Sequence, residues 1–202
     1  MDDLNTFLVQ VSKIFFRYGI KSVTMADIAR ELGISKKTIY TKVADKTDLV
    51  SKVMDYQLNL DMQVVNQVTN KSTNAIDEVF DICAKMGEII GDMHPSVMYD
   101  LKKYYPEIFK KFSNHKETFV LQTVISNLVK GKAQGIFRTD FNEEIIAKLH
   151  ISKMDIIWDP KVFDPSEVKF MEVLSEMMIY HVYGVSNQKG IAYLNKRLNK
   201  NN

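Results

Sequence analysis

The sequence predicts an all-α protein: a small N-terminal three-helix domain with a helix-turn-helix, followed by a larger C-terminal helical domain. Three observations carry that reading. Apolar residues recur at helical spacing along most of the chain. Only 8 glycines and 4 prolines occur in 202 residues, too few turn formers for a β-rich fold. Two short, separately capped helical segments joined by a single glycine lie between residues 24 and 43.

In chain order, Leu4, Phe7, Leu8, Val11, Ile14, Phe15 and Tyr18 form a 3-4-3 stripe, which predicts a first helix over about 3–18. Thr24 is placed to N-cap the second helix, with Asp27 three residues later in the reciprocal capping position. Val23 and Ile28 fall at the hydrophobic-staple spacing, and Ile28, Ala29 and Leu32 make a narrow apolar stripe. Gly33 supplies a left-handed stop, Ser35 caps the next helix, and Ile34 and Ile39 repeat the staple. That third helix is expected over about 36–43, anchored by Ile39 and Val43. Asp45 caps a fourth helix that opens at Lys46 and runs to about residue 68, a rod of ~35 Å at 1.5 Å per residue.

A polar break at 70–74 precedes a helix over about 75–90 and a short one over 97–104. Pro106 opens a long helix, expected to continue to about residue 134, since a proline at the first helical position loses no intrahelical bond. Residues 136–141 read as an extended link. Two more helices follow, over about 143–157 and 166–183, separated by Trp158-Asp159-Pro160 and Asp164-Pro165. The second is apolar on two faces, so it needs two partners, one of which is expected to be a second copy of the chain. The Asn/Lys-rich stretch 196–202 is expected to fray.

The chemistry concentrates between residues 17 and 46, where seven basic residues face three acidic ones although the whole chain is only +2. A plain helical hairpin with a solvated basic face would explain the charge alone. It does not explain two stapled caps, a stop glycine and a cationic short helix in succession. Lysines neutralise phosphates, and hydroxyls and helix-start N–H groups fix docking register. The expected DNA-contacting residues are Thr24, Ser35, Lys36, Lys37, Thr38, Tyr40, Thr41, Lys42 and Lys46. Lys36, Lys37 and Thr38 stand at the end of the second short helix that meets base edges in a helix-turn-helix.

This segment resembles the N-terminal domain of the TetR/AcrR family of bacterial transcriptional regulators. The matching residues are Phe15 and Gly19, then Ile28-Ala29, Gly33-Ile34-Ser35, Thr38-Ile39-Tyr40 and Lys46. One position departs: Val43 stands where that family usually carries Phe. The motif covers roughly the first 50 residues, which gives a division into 1–46, reading DNA, and 47–202, binding ligand and dimerising. The resemblance implies a homodimer that pairs its last two long helices across a two-fold axis, a near-palindromic double-stranded operator, and a small, mainly apolar effector. Candidate interface residues are Ile146, Leu149, His150, Met171, Leu174, Met178 and His181. Candidate pocket residues are Phe80, Cys83, Met86, Met98, Tyr99, Phe112, Phe119 and Thr123, each of which would serve equally as ordinary core.

Other chemistries have little support. The four histidines show no i, i+4 pair and no metal spacing, Cys83 has no neighbouring base, and no phosphate loop or nucleophile elbow occurs. Neither a catalytic residue nor a metal nor a cofactor is expected. One cysteine excludes an intrachain disulfide, and no apolar run is long enough for a membrane span, so a cytoplasmic protein with no membrane partner is expected. The leading reading is a ligand-responsive regulator, most often a repressor in such families. The alternative is a helical small-molecule-binding adaptor of the same fold that does not bind DNA.

Overall fold

The computed structural model describes residues 3–91 and 93–199. Eleven helices and one π-helical turn are present among them, with no strand and a single antiparallel bridge between Phe137 and Ser186. By packing, the chain divides into two compact units.

The first unit comprises the described parts of Met1–Met62 and Asp92–Asn114. It contains α1 (Asp3–Tyr18), α2 (Met25–Glu31), α3 (Lys36–Tyr40), the start of α4 (Lys46–Lys71), α6 (Ser96–Tyr104) and nearly all of α7 (Pro106–His115). Its core is mainly apolar, with Ser12, Gln57 and Asp100 the buried polar side chains. Val11 and Phe15 of α1, Ile20 of the following loop, Ile28 of α2, Ile39 of α3 and Leu49 and Val50 of α4 are completely buried, joined by Val97 and Leu101 of α6. The 3-4-3 stripe of α1 is therefore what the short helices close upon. The helix-turn-helix thus packs in one unit with α6 and α7, whereas the sequence motif by itself suggests a boundary at residue 46.

The second unit comprises Gln63–Gly91 and the described part of His115–Asn202. It contains the end of α4, α5 (Ala75–Ile90), the π-helical turn Lys116–Val120, α8 (Leu121–Ala133), α9 (Glu143–Ile157), α10 (Phe170–Val185) and α11 (Gln188–Leu198). One apolar cluster gathers Ala75, Ile76, Leu128, Phe137, Ala147, Val182 and Leu194. Another gathers Ile157, Val173, Leu174, Met177 and Met178. The extended link after α8 is pinned by Arg138 N–H donating to Val185 O at 2.9 Å and Asn187 N–H donating to Ile136 O at 3.1 Å. A Cβ on Gly131 would lie 2.0 Å from the Phe137 ring, so only glycine lets α8 accept that ring.

Four elements differ from the sequence expectation. The third helix, expected over about 36–43, ends at Tyr40 with Thr41 as its C-cap. The helix opened by Pro106 does not run as uniform α-helix to 134 but changes to π-helical hydrogen bonding over Lys116–Val120. The helix expected from about residue 166 starts at Phe170. Asp164 Oδ1 accepts from Ser166 N–H at 2.8 Å and holds those residues in a turn instead. Finally, α11 was not foreseen. Residues 184–195 carry no helix in the sequence reading and 196–202 are expected to fray, yet Ile191, Leu194 and Leu198 sit at helical spacing and Asn187 caps the helix by accepting from Gly190 N–H at 3.1 Å. Residues 200–202 of the stretch expected to fray lie outside the described residues.

Candidate nucleic-acid interface

Local capping builds the reading surface. Thr24 Oγ1 accepts from Asp27 N–H at 3.2 Å while Asp27 Oδ2 accepts from Thr24 N–H at 3.0 Å, the reciprocal box expected from the sequence. The Thr24 bonds hold the Asp27 carboxyl below its ordinary range, with the Arg30 guanidinium adding to the effect. Gly33 takes φ +65, the left-handed conformation that ends α2 without a Cβ clash. Ser35 Oγ accepts from Thr38 N–H at 3.0 Å and lies 2.9 Å from Thr38 Oγ1.

With its start fixed, α3 turns Ile39 inward, and Val43, just beyond its Thr41 C-cap, is buried as well. Val43 is smaller than the Phe expected there, but its 3% exposure shows that it still anchors the helix. Lys36, Lys37, Thr38, Tyr40 and Thr41 are left on the outside, together with Thr24 and Ser35. Tyr40 is 51% exposed, and neither Lys36 nor Lys37 has a carboxylate partner among the described residues. Two free ammonium groups, a phenol and several hydroxyls on one protruding short helix form a donor-rich, cationic surface.

Lys42 and Lys46 are placed differently from the sequence expectation. The Lys42 ammonium is paired with Asp3 and lies 5.9 Å from the Phe7 ring centroid, so it ties α3 to α1. The Lys46 ammonium donates to Ile20 O at 2.7 Å and to Val23 O. Burial and the Lys21 charge pull its pKa down, opposed by Asp100 and Asp27. Lys46 is therefore a clamp on the loop between α1 and α2, with its donors already used, and is not a free phosphate contact. Sequence reasoning missed the other half of that clamp. Asp100 of α6, 5% exposed, accepts through Oδ2 from Ile20 N–H at 3.0 Å and Lys21 N–H at 2.8 Å. Eighty residues separate the partners, and nothing local signals the pairing.

The expected pocket residues are divided between the two units. Met98, Tyr99 and Phe112 belong to the first unit; Phe80, Cys83, Met86, Phe119 and Thr123 belong to the second. Tyr99 is 57% exposed with its phenol oxygen accepting from Lys103 Nζ at 2.8 Å, so it does not face inward. Thr123 spends its hydroxyl on Phe119 O at 2.9 Å. Phe80 and Cys83 pack on the methionine-rich cluster of the second unit, where burial pushes the Cys83 thiol up.

The interface candidates also require correction. His150, Leu174, Met178 and His181 are buried within the second unit of a single chain. Ile146 and Met171 are half-buried, and Leu149 alone of the set is open. The His150 and His181 rings lie 4.2 Å apart, tilted by 55°. Burial holds both imidazoles neutral, with pKa values pushed down to about 3 for His150 and about 4 for His181, the Lys153 charge contributing to both. The open apolar face uses the register beside them: Ile145, Leu149 and Ile156 fall on one line of α9, and Tyr180 of α10 is 69% exposed.

Residues 12–53 match the family model described as bacterial regulatory proteins, tetR family. An uncharacterised HTH-type transcriptional regulator of Bacillus subtilis, YvaF, is 25% identical over 142 residues, covering 69% of this chain and 73% of the relative. Among solved structures, a transcriptional regulator from Cytophaga hutchinsonii superposes with a TM-score of 0.72 at 17% identity, covering 93% of this chain and all of the other. A gamma-butyrolactone receptor superposes with a TM-score of 0.70 at 17% identity, covering 98% and 96%.

Proposed function

We propose that this chain, which carries the N-terminal domain of the tetR family on the all-α fold of TetR-type regulators, is a ligand-responsive transcriptional repressor that binds a near-palindromic operator as a homodimer. The observation that carries the reading is α3. Its inward anchors and side-chain-capped start present Lys36, Lys37, Thr38, Tyr40 and Thr41 outward as a unit. In this reading Lys36, Lys37 and Thr38 meet base edges in the major groove, and Thr24, Ser35, Tyr40 and Thr41 bond flanking phosphates. Lys42 and Lys46 act one step back, setting the orientation of α3 and of the loop before α2. Residues 1–46 supply the DNA contacts and 47–202 the ligand and dimer functions, in the cytoplasm; no described helix is long and apolar enough to cross a membrane.

The face of Ile145, Leu149, Ile156 and Tyr180 supports pairing of α9 and α10 with the same helices of a second copy. Such a stripe exposes apolar area that a two-fold partner would cover, and two heads about one helical turn (~34 Å) apart would match operator half-sites. The effector reading rests on the methionine- and aromatic-rich core of the second unit and on the fold shared with a gamma-butyrolactone receptor. The effector is expected to be small and mainly apolar, and to act by binding the free and DNA-bound states unequally.

Selection of bound duplexes from a random pool tests the reading. Enrichment of a near-palindrome, with affinity falling steeply as salt rises, is expected. Lys36→Ala should shift base preference at its position by about 1–3 kcal/mol, whereas Tyr40→Phe should weaken all duplexes alike. A pool that emerges unenriched, with binding indifferent to salt, would leave the DNA-free adaptor standing.

A further inference from the structure

Beside the reading helix, the first unit carries a second cationic surface that the helix-turn-helix does not include. Lys21 follows the end of α1, three residues before the Thr24 cap, and its ammonium lies 4.6 Å from the centroid of the Tyr104 ring. Lys103 of α6 sits 5.4 Å from the same ring and 5.2 Å from Tyr99, whose phenol oxygen accepts its proton at 2.8 Å. Lys21, Tyr104, Lys103 and Tyr99 thus form one ladder across the loop and α6, with Lys102 exposed beside it.

The ladder is uncompensated. Neither Lys21 nor Lys102 nor Lys103 has a carboxylate partner among the described residues. By contrast, Lys110 and Lys111 on the neighbouring α7 are paired with Glu107 and Asp55. The one carboxylate beneath the ladder, Asp100, is buried and bonded to the backbone of residues 20 and 21. Its place is structural: it holds Lys21 against α6. The rings hold the Lys21 and Lys103 ammonium groups in place, so these two charges lose little freedom on meeting a ligand. Charge, aromatic support and fixed position together suit a row of phosphates.

We propose that Lys21, Lys102 and Lys103, supported by Tyr99 and Tyr104, form a second phosphate-contacting strip that extends the DNA footprint from the helix-turn-helix onto α6. The inference rests on the DNA-binding reading above and adds a surface to it. Its continuity with the reading surface has two supports. Thr24 and Lys21 belong to the same short stretch. Lys46, which opens α4, donates to Ile20 O at 2.7 Å, and Ile20 N–H donates to Asp100 Oδ2 at 3.0 Å, so hydrogen bonds join the start of α4, the loop and α6. The strip reads no bases, so it contributes affinity and salt dependence without sequence preference.

The test uses the full-length protein and its selected operator, with flanks of about one helical turn on each side. Replacing Lys21, Lys102 and Lys103 together by Gln should lower the slope of log K against log salt by about 2–3 per head, at ~0.9 per phosphate contact, and weaken binding at least tenfold at 0.15 M salt. The selected sequence should stay the same, and the corresponding triple Arg variant should restore both quantities. Lysine acylation of the wild-type protein, read by mass spectrometry, should show all three lysines protected by operator and Lys110 and Lys189 still reactive. This arm needs no folded variant. Unprotected Lys21, Lys102 and Lys103 on bound operator would overturn the strip while leaving the recognition helix intact. So would an Arg variant as impaired as the Gln variant, or a Gln variant that binds operator like wild type but loses affinity for phosphatidylglycerol vesicles. Failure of wild-type protein to select any duplex would remove both the strip and the reading on which it rests.

Discussion

The two units treat buried polarity in opposite ways. In the first, the core is mainly apolar and its polar groups are closed into caps and clamps: Thr24 with Asp27, Ser35 with Thr38, Lys46 and Asp100 on the loop between them. In the second, Glu78 is 2% exposed and accepts from Asn127 Nδ2 at 2.9 Å and Lys130 Nζ at 2.7 Å, and two imidazoles stack in the interior. The buried side-chain atoms with no partner among the described residues, Asn127 Oδ1, His150 Nδ1 and Ser186 Oγ, all lie there. Each such orphan costs about 1–3 kcal/mol against a satisfied one. A surface that must present the same groups to a duplex every time gains from a closed, apolar core. The second unit retains internal dipoles whose cost a suitable polar contact would relieve.

The largest effect that separates the units should come from Glu78→Ala. Removing that carboxylate leaves Lys130 and Asn127 only their backbone acceptors, Ser72 O and Ala75 O, and losing two hydrogen bonds to a buried charge costs about 2–3 kcal/mol. Trp158, the only tryptophan, stacks on Phe170 in the second unit at 4.0 Å and reports its unfolding by fluorescence. A Trp158 transition unmoved in urea would mean that the pair contributes nothing.

Acid should split the units next. His150 and His181 stay neutral in the folded state to about pH 3 and about pH 4, but in the unfolded chain they take up protons below about 6.5. The second unit therefore loses stability as pH falls from 6.5 toward 4, by about 1.4 kcal/mol per pH unit for each imidazole. Asp61 in the first unit has the reverse sign. Burial raises its carboxyl to about 6, above the unfolded value, so that unit gains stability as pH falls through 6. Urea melts followed by Trp158 should show the loss, and His150→Gln with His181→Gln should flatten it; Asp61→Asn should remove the opposing trend from the far-UV dichroism curve. A double His variant with an unchanged pH slope would break this contrast.

The smallest expected effects are at the caps. Thr24→Ala and Ser35→Ala should each cost about 1 kcal/mol, seen as lower dichroism midpoints, because each leaves an N–H of a short helix unbonded. Retained midpoints would show that α2 and α3 are held by Ile28 and Ile39 alone.

The reading head was legible because its signals are local. A cap and its partner stand three residues apart, a staple spans five, and Gly33 announces its own conformation; these needed only the order of residues. The same logic gave the bounds of α1, α5 and α9. It failed where composition hid a pattern, as in α11, and where a side chain's partner lies far along the chain.

The sequence by itself determined most of the helical segments, where α2 begins and stops, where α3 begins, and which residues of α3 can face a duplex, since helical period and capping act over a few residues. Only the tertiary structure decided that Lys46 grips carbonyls, that Asp100 reaches back to residues 20 and 21, and that His150 and His181 turn inward while Ile145 and Tyr180 stay out. An apolar or charged residue on a helix carries no mark of its eventual neighbour. That choice depends on how whole helices share buried area, and it is settled when they pack.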